Sequence, residues 1–224
     1  MVIAIDGPAG SGKSSTARLV ASRLGIVHLD TGAMYRAVTL KCLREGIAHT
    51  DDGALGVLMS RTSIVFEGSG SVMRTIMNGE DVTDAIRSDE VTRHVSEYCV
   101  PAVVRNALVE QQRLLGSRNS VVCEGRDIGT VVFPNAELKI YMIASVEERA
   151  RRRQKDFAAM GIHKSLIELR AEIELRDRKD STRSNSPLRK AEDALELDTT
   201  GLSLEEQAGI IVERARALSG TNDN

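Results

Sequence analysis

Cysteine is scarce in this chain, and its placement excludes two common ways of bracing a fold. Cys42, Cys99 and Cys123 are odd in number and widely spaced, matching neither a disulfide framework nor a zinc-ligand pattern, and they read as small core residues. The histidines, His28, His49, His94 and His163, are scattered without ligand spacing and read as structural or solvated. Long apolar runs are missing too, so no segment is expected to cross a bilayer. The opening residues already form a strand pattern, so no signal peptide is expected. Nor is either charge in excess. The chain has 30 Lys and Arg against 32 Asp and Glu, a net charge of -2, which gives no general reason to expect nucleic acid or a membrane surface as a partner. A cytoplasmic location and a monomeric state are the expectations.

What is present begins with size. At 224 residues and 42% hydrophobic, the chain can bury a sizeable core and is long enough for one core fold carrying insertions. The stretch "IAIDGPAGSGKSSTARLV", residues 3–20, starts as a β-branched run, breaks into a glycine-rich turn and restarts as an amphipathic helix pattern. Gly7 to Ser14 has the spacing G-x-x-x-x-G-K-[ST], flanked by a strand at Val2 to Ile5 and a helix at Ser14 to Leu24, the context a phosphate-binding loop requires. Gly7, Gly10 and Gly12 free the backbone to turn consecutive N–H groups inward around a phosphate, and the helix start behind them adds partial positive charge. The nucleotide cradle is therefore Gly7, Pro8, Ala9, Gly10, Ser11, Gly12, Lys13, Ser14 and Ser15. Lys13 can reach the β- and γ-phosphates of ATP, and Ser14 can offer its hydroxyl to Mg²⁺. The dinucleotide fingerprint G-x-G-x-x-G fits less well, because Ser15 falls where its third glycine belongs.

Further along, short apolar runs at Val27 to Leu29, Val121 to Cys123, Leu138 to Met142 and Leu195 to Leu197 alternate with helical patterns at Ala33 to Glu45, Pro101 to Leu115, Val146 to Met160 and Leu204 to Leu218. That order predicts an α/β fold, a parallel sheet flanked by helices. Two stretches break the alternation. Residues 62–86 alternate at period two, with turn signals at Gly68-Ser69-Gly70 and Asn78-Gly79, and predict a small antiparallel insertion. Residues 147–165 pack Arg149, Arg151, Arg152, Arg153 and Lys155 into one helical segment, whose plain reading is a solvated helix face. The terminal "SGTNDN" is expected to fray.

Among triphosphate-using classes, a switch GTPase needs Asn-Lys-x-Asp, and the chain has no Asn-Lys pair. A remodelling ATPase usually shows an apolar strand ending in Asp-Glu, which is also missing. A small kinase remains, and arginines become the evidence. Arg36 lies in "GAMYR", Arg126 and Asp127 in "EGRD", and Arg176, Arg178 and Arg183 in "LRDRKDSTR". So many guanidiniums call for an anion with several oxygens.

At these residues the chain resembles the bacterial cytidylate kinase family, over nearly its whole length. The likeness runs from "IAIDGPAGSGKS" through "LDTGAMYR", "EGRDIGTVVFP" and "AEIELRDRKDSTR" to "LELDTT", and "GRDIGTVVFP" is its most specific part. The resemblance implies a P-loop kinase core over 1–61 and 96–224, a nucleoside monophosphate-binding insertion over 62–95, and a lid over 147–165 bearing Arg149, Arg152 and Arg153. It implies that Arg36 and Arg126 hold the acceptor phosphate, with Thr31 and Tyr35 from the same "TGAMYR" stretch in the CMP site. Ser96, Arg105, Asp127 and Arg183 would surround the cytosine, while Arg176 and Asp180 would serve the ribose and the transferring phosphoryl group. Lys13, Arg126, Arg176 and Asp180 would then be the catalytic set. ATP, carried with Mg²⁺, and CMP or dCMP are the implied ligands. Ser14-Ser15 stands where some relatives have Gly-Thr, so either hydroxyl is available to the metal. Kinases of UMP, AMP or shikimate, and a nucleotide-binding regulator without catalysis, remain the other readings at this point.

Overall fold

Five parallel strands and the helices packed on them enclose a core of buried apolar side chains. The computed structural model describes residues 1–69, 72–159, 161–183 and 185–220. In chain order the strands are β1 (Val2–Asp6), β2 (Val27–Asp30), β3 (Ile64–Ser69), β4 (Val72–Met77), β5 (Glu80–Asp81), β6 (Val121–Gly125), β7 (Leu138–Ile143) and β8 (Leu195–Asp198). The helices are α1 (Lys13–Leu24), α2 (Thr31–Glu45), α3 (Asp52–Ser60), α4 (Asp89–Tyr98), α5 (Ala102–Arg118), α6 (Val146–Ala159), α7 (Leu166–Thr182) and α8 (Leu204–Gly220). Among these residues no helix is long and apolar enough to cross a membrane.

The five-stranded sheet has the order β2-β6-β1-β7-β8, and β3-β4-β5 form a separate antiparallel sheet, as the alternation of apolar runs and the period-two insertion predict. The central strands are mostly apolar because both faces are covered. Ile3, Ile5, Val122, Ile140 and Met142 pack with Ala17 and Val20 of α1 and with Ala208 and Ile211 of α8. Asp6 pairs with Gly125 of β6 and with Tyr141 of β7. β1 and β6 therefore end level, β7 runs two residues further, and the glycine-rich loop and the Arg126-Asp127 turn emerge side by side from the carboxyl edge, where open α/β sheets bind their ligands.

The contacts divide the chain into two compact units, Met1–His28 with Val121–Asn224, and Leu29–Ser120. The first holds the glycine-rich loop and its sheet. In the second, α2 packs on α3, α4 and α5, and Leu55, Leu58, Val91, Val104 and Leu108 are wholly buried. Some local expectations needed correction. Cys42 and Cys123 are core residues, but Cys99 is only half-buried. The apolar "IGTVV" after Asp127 forms a π-helical turn over Ile128–Val132, closed by the Val132 N–H donating to Asp127 O at 3.2 Å and Phe133 N–H donating to Ile128 O at 2.7 Å. Gly70, Met160 and the final four residues lie outside the described residues, so the turn signal at Gly70, the end of the helix at Met160 and most of the expected fraying lie there too.

Candidate active site

The glycine-rich loop spans the gap from β1 to α1, and two of its glycines are required by geometry. At Gly7, φ is +150° and a Cβ would stand 2.1 Å from the carbonyl oxygen of Met142 in β7, so a side chain there would push the loop off the sheet. Gly12, at φ +95°, is the left-handed residue before the first turn of α1. That first turn holds no acidic side chain, so its N–H groups and positive dipole end present a favourable surface to phosphate. Lys13, 6% exposed, donates from Nζ to Pro8 O at 2.8 Å and to Ser11 Oγ at 3.5 Å, bending back over its own loop. Burial, joined by the guanidiniums of Arg126 and Arg176, lowers its pKa to about 7.

Two acids in the quoted motifs were given no role by the sequence reading, and both sit beneath this loop. Glu124, 3% exposed at the end of β6, accepts from Ser14 Oγ at 2.8 Å and lies 3.1 Å from His28 Nε2. Burial alone would raise its pKa, but His28, Lys13 and Ser14 outweigh it and hold the carboxyl below its ordinary value. The Ser14 hydroxyl and an ionised carboxylate form an oxygen donor set of the kind Mg²⁺ takes, so these residues fit a nucleotide-borne metal. Of the two serines, Ser14 is the one bound to Glu124. Asp6, 5% exposed, accepts the N–H groups of Ile128 and Gly129. The signal for both acids was an Asp or Glu closing an otherwise apolar strand.

The first unit also gathers the charged residues that follow β6 and those of α7. Arg126 Nε donates to Asp180 at 2.8 Å, and Arg183 lies 3.5 Å from Asp127, with both of the latter side chains buried. Burial would raise Asp180, yet Arg126 and Arg176 hold its pKa below the ordinary value. Arg176, half-buried, stands one turn before Asp180 on α7, whereas Arg178 and Lys179 are exposed. Thus "GRD" and "RDRKDSTR", far apart in sequence, meet as two ion pairs.

The hairpin of α6 and α7 sorts the three arginines expected in a lid. Arg149, 4% exposed, donates to Ala9 O at 3.2 Å and lies 2.7 Å from Asp177, which fixes the base of α6 to the phosphate loop. Arg152 binds Glu148 at 2.9 Å and the Thr199 hydroxyl at 3.1 Å. Arg153 lies over the Phe157 ring, 5.1 Å from its centre.

The second unit holds the remaining residues. Thr31 opens α2 just after Asp30, whose side chain caps the helix by accepting from Ala33 N–H at 2.9 Å. One turn on, Arg36 donates to Thr92 Oγ1 at 2.9 Å and to Ile86 O at 3.3 Å. Arg105 is 4% exposed, with its guanidinium 5.7 Å from the centre of the buried Tyr35 ring, so it is not an exposed helix-face residue. Ser96 is half-buried on α4.

Comparison with known proteins shows the family of the chain. A family model described as cytidylate kinase matches residues 3–217. A cytidylate kinase from Listeria innocua is 51% identical over 213 residues, covering 95% of this chain and 95% of that protein. A bifunctional pantoate ligase/cytidylate kinase from a Nostoc species is 55% identical over 216 residues, 95% of this chain and 40% of the longer protein. Among solved structures, a gluconokinase from Sinorhizobium meliloti superposes with a TM-score of 0.50 at 16% identity, covering 99% of this chain and 95% of that one, a likeness of fold alone.

Proposed function

The chain belongs to the cytidylate kinase family, and on that premise we propose that it transfers the γ-phosphoryl group of ATP to CMP, and to dCMP, giving CDP or dCDP and ADP. The observation that carries this reading is the near-full-length likeness to curated cytidylate kinases, on a chain whose phosphate-binding loop is fully formed.

The acceptor phosphate oxygen is already ionised near neutral pH, so no general base is needed, and catalysis rests on positioning and charge neutralisation. Two like unit charges 4 Å apart repel by about 1 kcal/mol in water but about 4 kcal/mol at an effective dielectric near 20, so a closed site must supply cations. Lys13 and the loop amides bind the donor phosphates. Arg36 and Arg126 bind the acceptor phosphate, and Arg176 with Asp180 orients the ribose and the moving phosphoryl group. Asp127, set by Arg183, accepts from the exocyclic amine of cytosine, with Arg105 and Ser96 completing the base site and Thr31 and Tyr35 lining it. Mg²⁺ enters with ATP, would be held through Ser14 with Glu124 behind it, and supplies further neutralisation of phosphate charge.

Residues 62–95 act as the acceptor-binding insertion and 147–165 as the lid that keeps water from the phosphoryl group. Added hydrogen-exchange protection of both segments with a bisubstrate analogue is expected, and its absence would count against closure. The enzyme works as a cytoplasmic monomer. Incubation with Mg-ATP and a panel of CMP, dCMP, UMP, AMP and shikimate, read as ADP released, tests the activity. ADP with CMP and dCMP is expected; response to a different acceptor would make it another kinase, and none at all would make it a regulator.

A further inference from the structure

We propose that Asp6 is a positioning residue for the acceptor side of the reaction, fixing the Arg126-Asp127 turn to the phosphate loop without touching either substrate. The inference rests on the kinase reading above, because it assigns that turn to CMP.

Asp6 is the last residue of β1 and the neighbour of Gly7. Its carboxylate divides its two oxygens over two successive amides: Oδ1 accepts from Ile128 N–H at 2.8 Å and Oδ2 from Gly129 N–H at 2.7 Å. Two short bonds to adjacent peptides fix both the position and the tilt of the chain, as a single bond would not. These amides open the π-helical turn that directly follows Arg126 and Asp127. On the other side of the pair, Gly125 is held in register with Asp6 by the β1–β6 ladder. The two functional residues are thus suspended between a ladder and a clamp that both belong to Asp6, and from that base Arg126 reaches Asp180 and Asp127 meets Arg183.

The clamp is costly, which argues that it does more than fill space. Burial of the carboxyl exceeds the help of the two amides and nearby Lys13, and raises its pKa to about 6. An apolar residue at the end of this apolar strand would avoid that cost. Gly129 also fits the clamp: a Cβ there would stand 3.4 Å from Asp6 Oδ2 and 3.2 Å from Lys139 Cδ, so glycine allows the close approach.

Asp6→Asn keeps the shape and one acceptor oxygen but turns a donor toward one amide. With the wild-type protein assayed alongside, the variant should raise KM for CMP by roughly tenfold to a hundredfold. Its Kd for ATP, measured by calorimetry, should stay within about twofold of wild type, since the loop amides and Lys13 are untouched. A residue serving the fold alone would shift both ligands together, so equal shifts, or none, overturn the inference while leaving wild-type turnover of CMP, and hence the kinase reading, intact. A wild type inactive on CMP would end both. Should the variant not fold, residue-resolved hydrogen exchange on the wild type decides: the Ile128 and Gly129 amides must exchange as slowly as those of β6, and exchange at the rate of an open loop overturns the clamp.

Discussion

The phosphate loop and the α6–α7 hairpin both concentrate charge, and they hold it in opposite ways. Around the loop, Asp6, Lys13 and Glu124 are each at most 6% exposed, and Asp6 and Lys13 are displaced far from their ordinary pKa values. Along the hairpin, Arg170–Glu147 bridges the two helices and Lys164–Glu172 ties their connection to α7, over a small core of Ala150, Leu169 and Ile173. Buried ions stay where their partners are, because losing a partner leaves an uncompensated charge in a poorly polarisable setting. Exposed pairs are worth about 0 to 1 kcal/mol and are readily exchanged for water. One part is therefore fixed by buried charge, and the other is held by pairs that water can replace. Arg149 marks the boundary, since its guanidinium is buried against Ala9 and Asp177 and so belongs to the loop although its backbone belongs to the hairpin.

The largest effect should come from the buried side. Lys13→Ala removes the ammonium proposed to bind the donor phosphates, and kcat should fall by on the order of a hundredfold to a thousandfold or more. The fold should survive, because a displaced buried ammonium is no source of stability near neutral pH; a circular dichroism melt alongside the kinetics checks both halves. Near-normal kcat in folded protein would remove Lys13 from the mechanism.

Next in size is a pH effect. The Asp6 carboxyl binds its proton more tightly in the folded protein, near 6, than at its model-peptide value of 3.8. Stability of the ligand-free protein should therefore fall as pH rises from about 4 to about 6, by about 2 kcal/mol from this group. Urea unfolding of wild type and Asp6→Asn at the two pH values should show that loss only in the wild type. The smallest effect belongs to the hairpin. Glu172→Gln removes one partner of the exposed Lys164–Glu172 pair, and should change stability by no more than about 1 kcal/mol, fading as salt is added. A larger, salt-resistant loss would erase the distinction between the two regions.

The parallel sheet, the antiparallel insertion and the phosphate loop were legible because each is written in local patterns: apolar runs, period-two alternation and fixed glycine spacing. Arg126, Asp127 and Arg183 stand out in the arginine-rich motifs and Asp180 comes only through the family resemblance, but their pairing across the fold of the first unit has no local signature. Asp6 and Glu124 were missed for a related reason. Each is one acid at the end of an apolar strand, and only the register that brings Asp6 level with Gly125 shows that they sit under the loop. The π-helical turn at Ile128–Val132 was also invisible, since "IGTVV" reads as easily as a strand.

The most direct test of the account is the ratio of kcat/KM for CMP to that for UMP, in the wild type and in Asp127→Ala. Cytosine offers an amine where uracil offers an acceptor oxygen, so a carboxylate at that edge should favour CMP by at least roughly tenfold to a hundredfold. The variant should lose activity on CMP far more than on UMP, collapsing the ratio toward one. An equal fall on both acceptors would mean that Asp127 holds Arg183 and its turn in place without reading the base, and would contradict the assignment of cytosine to this site.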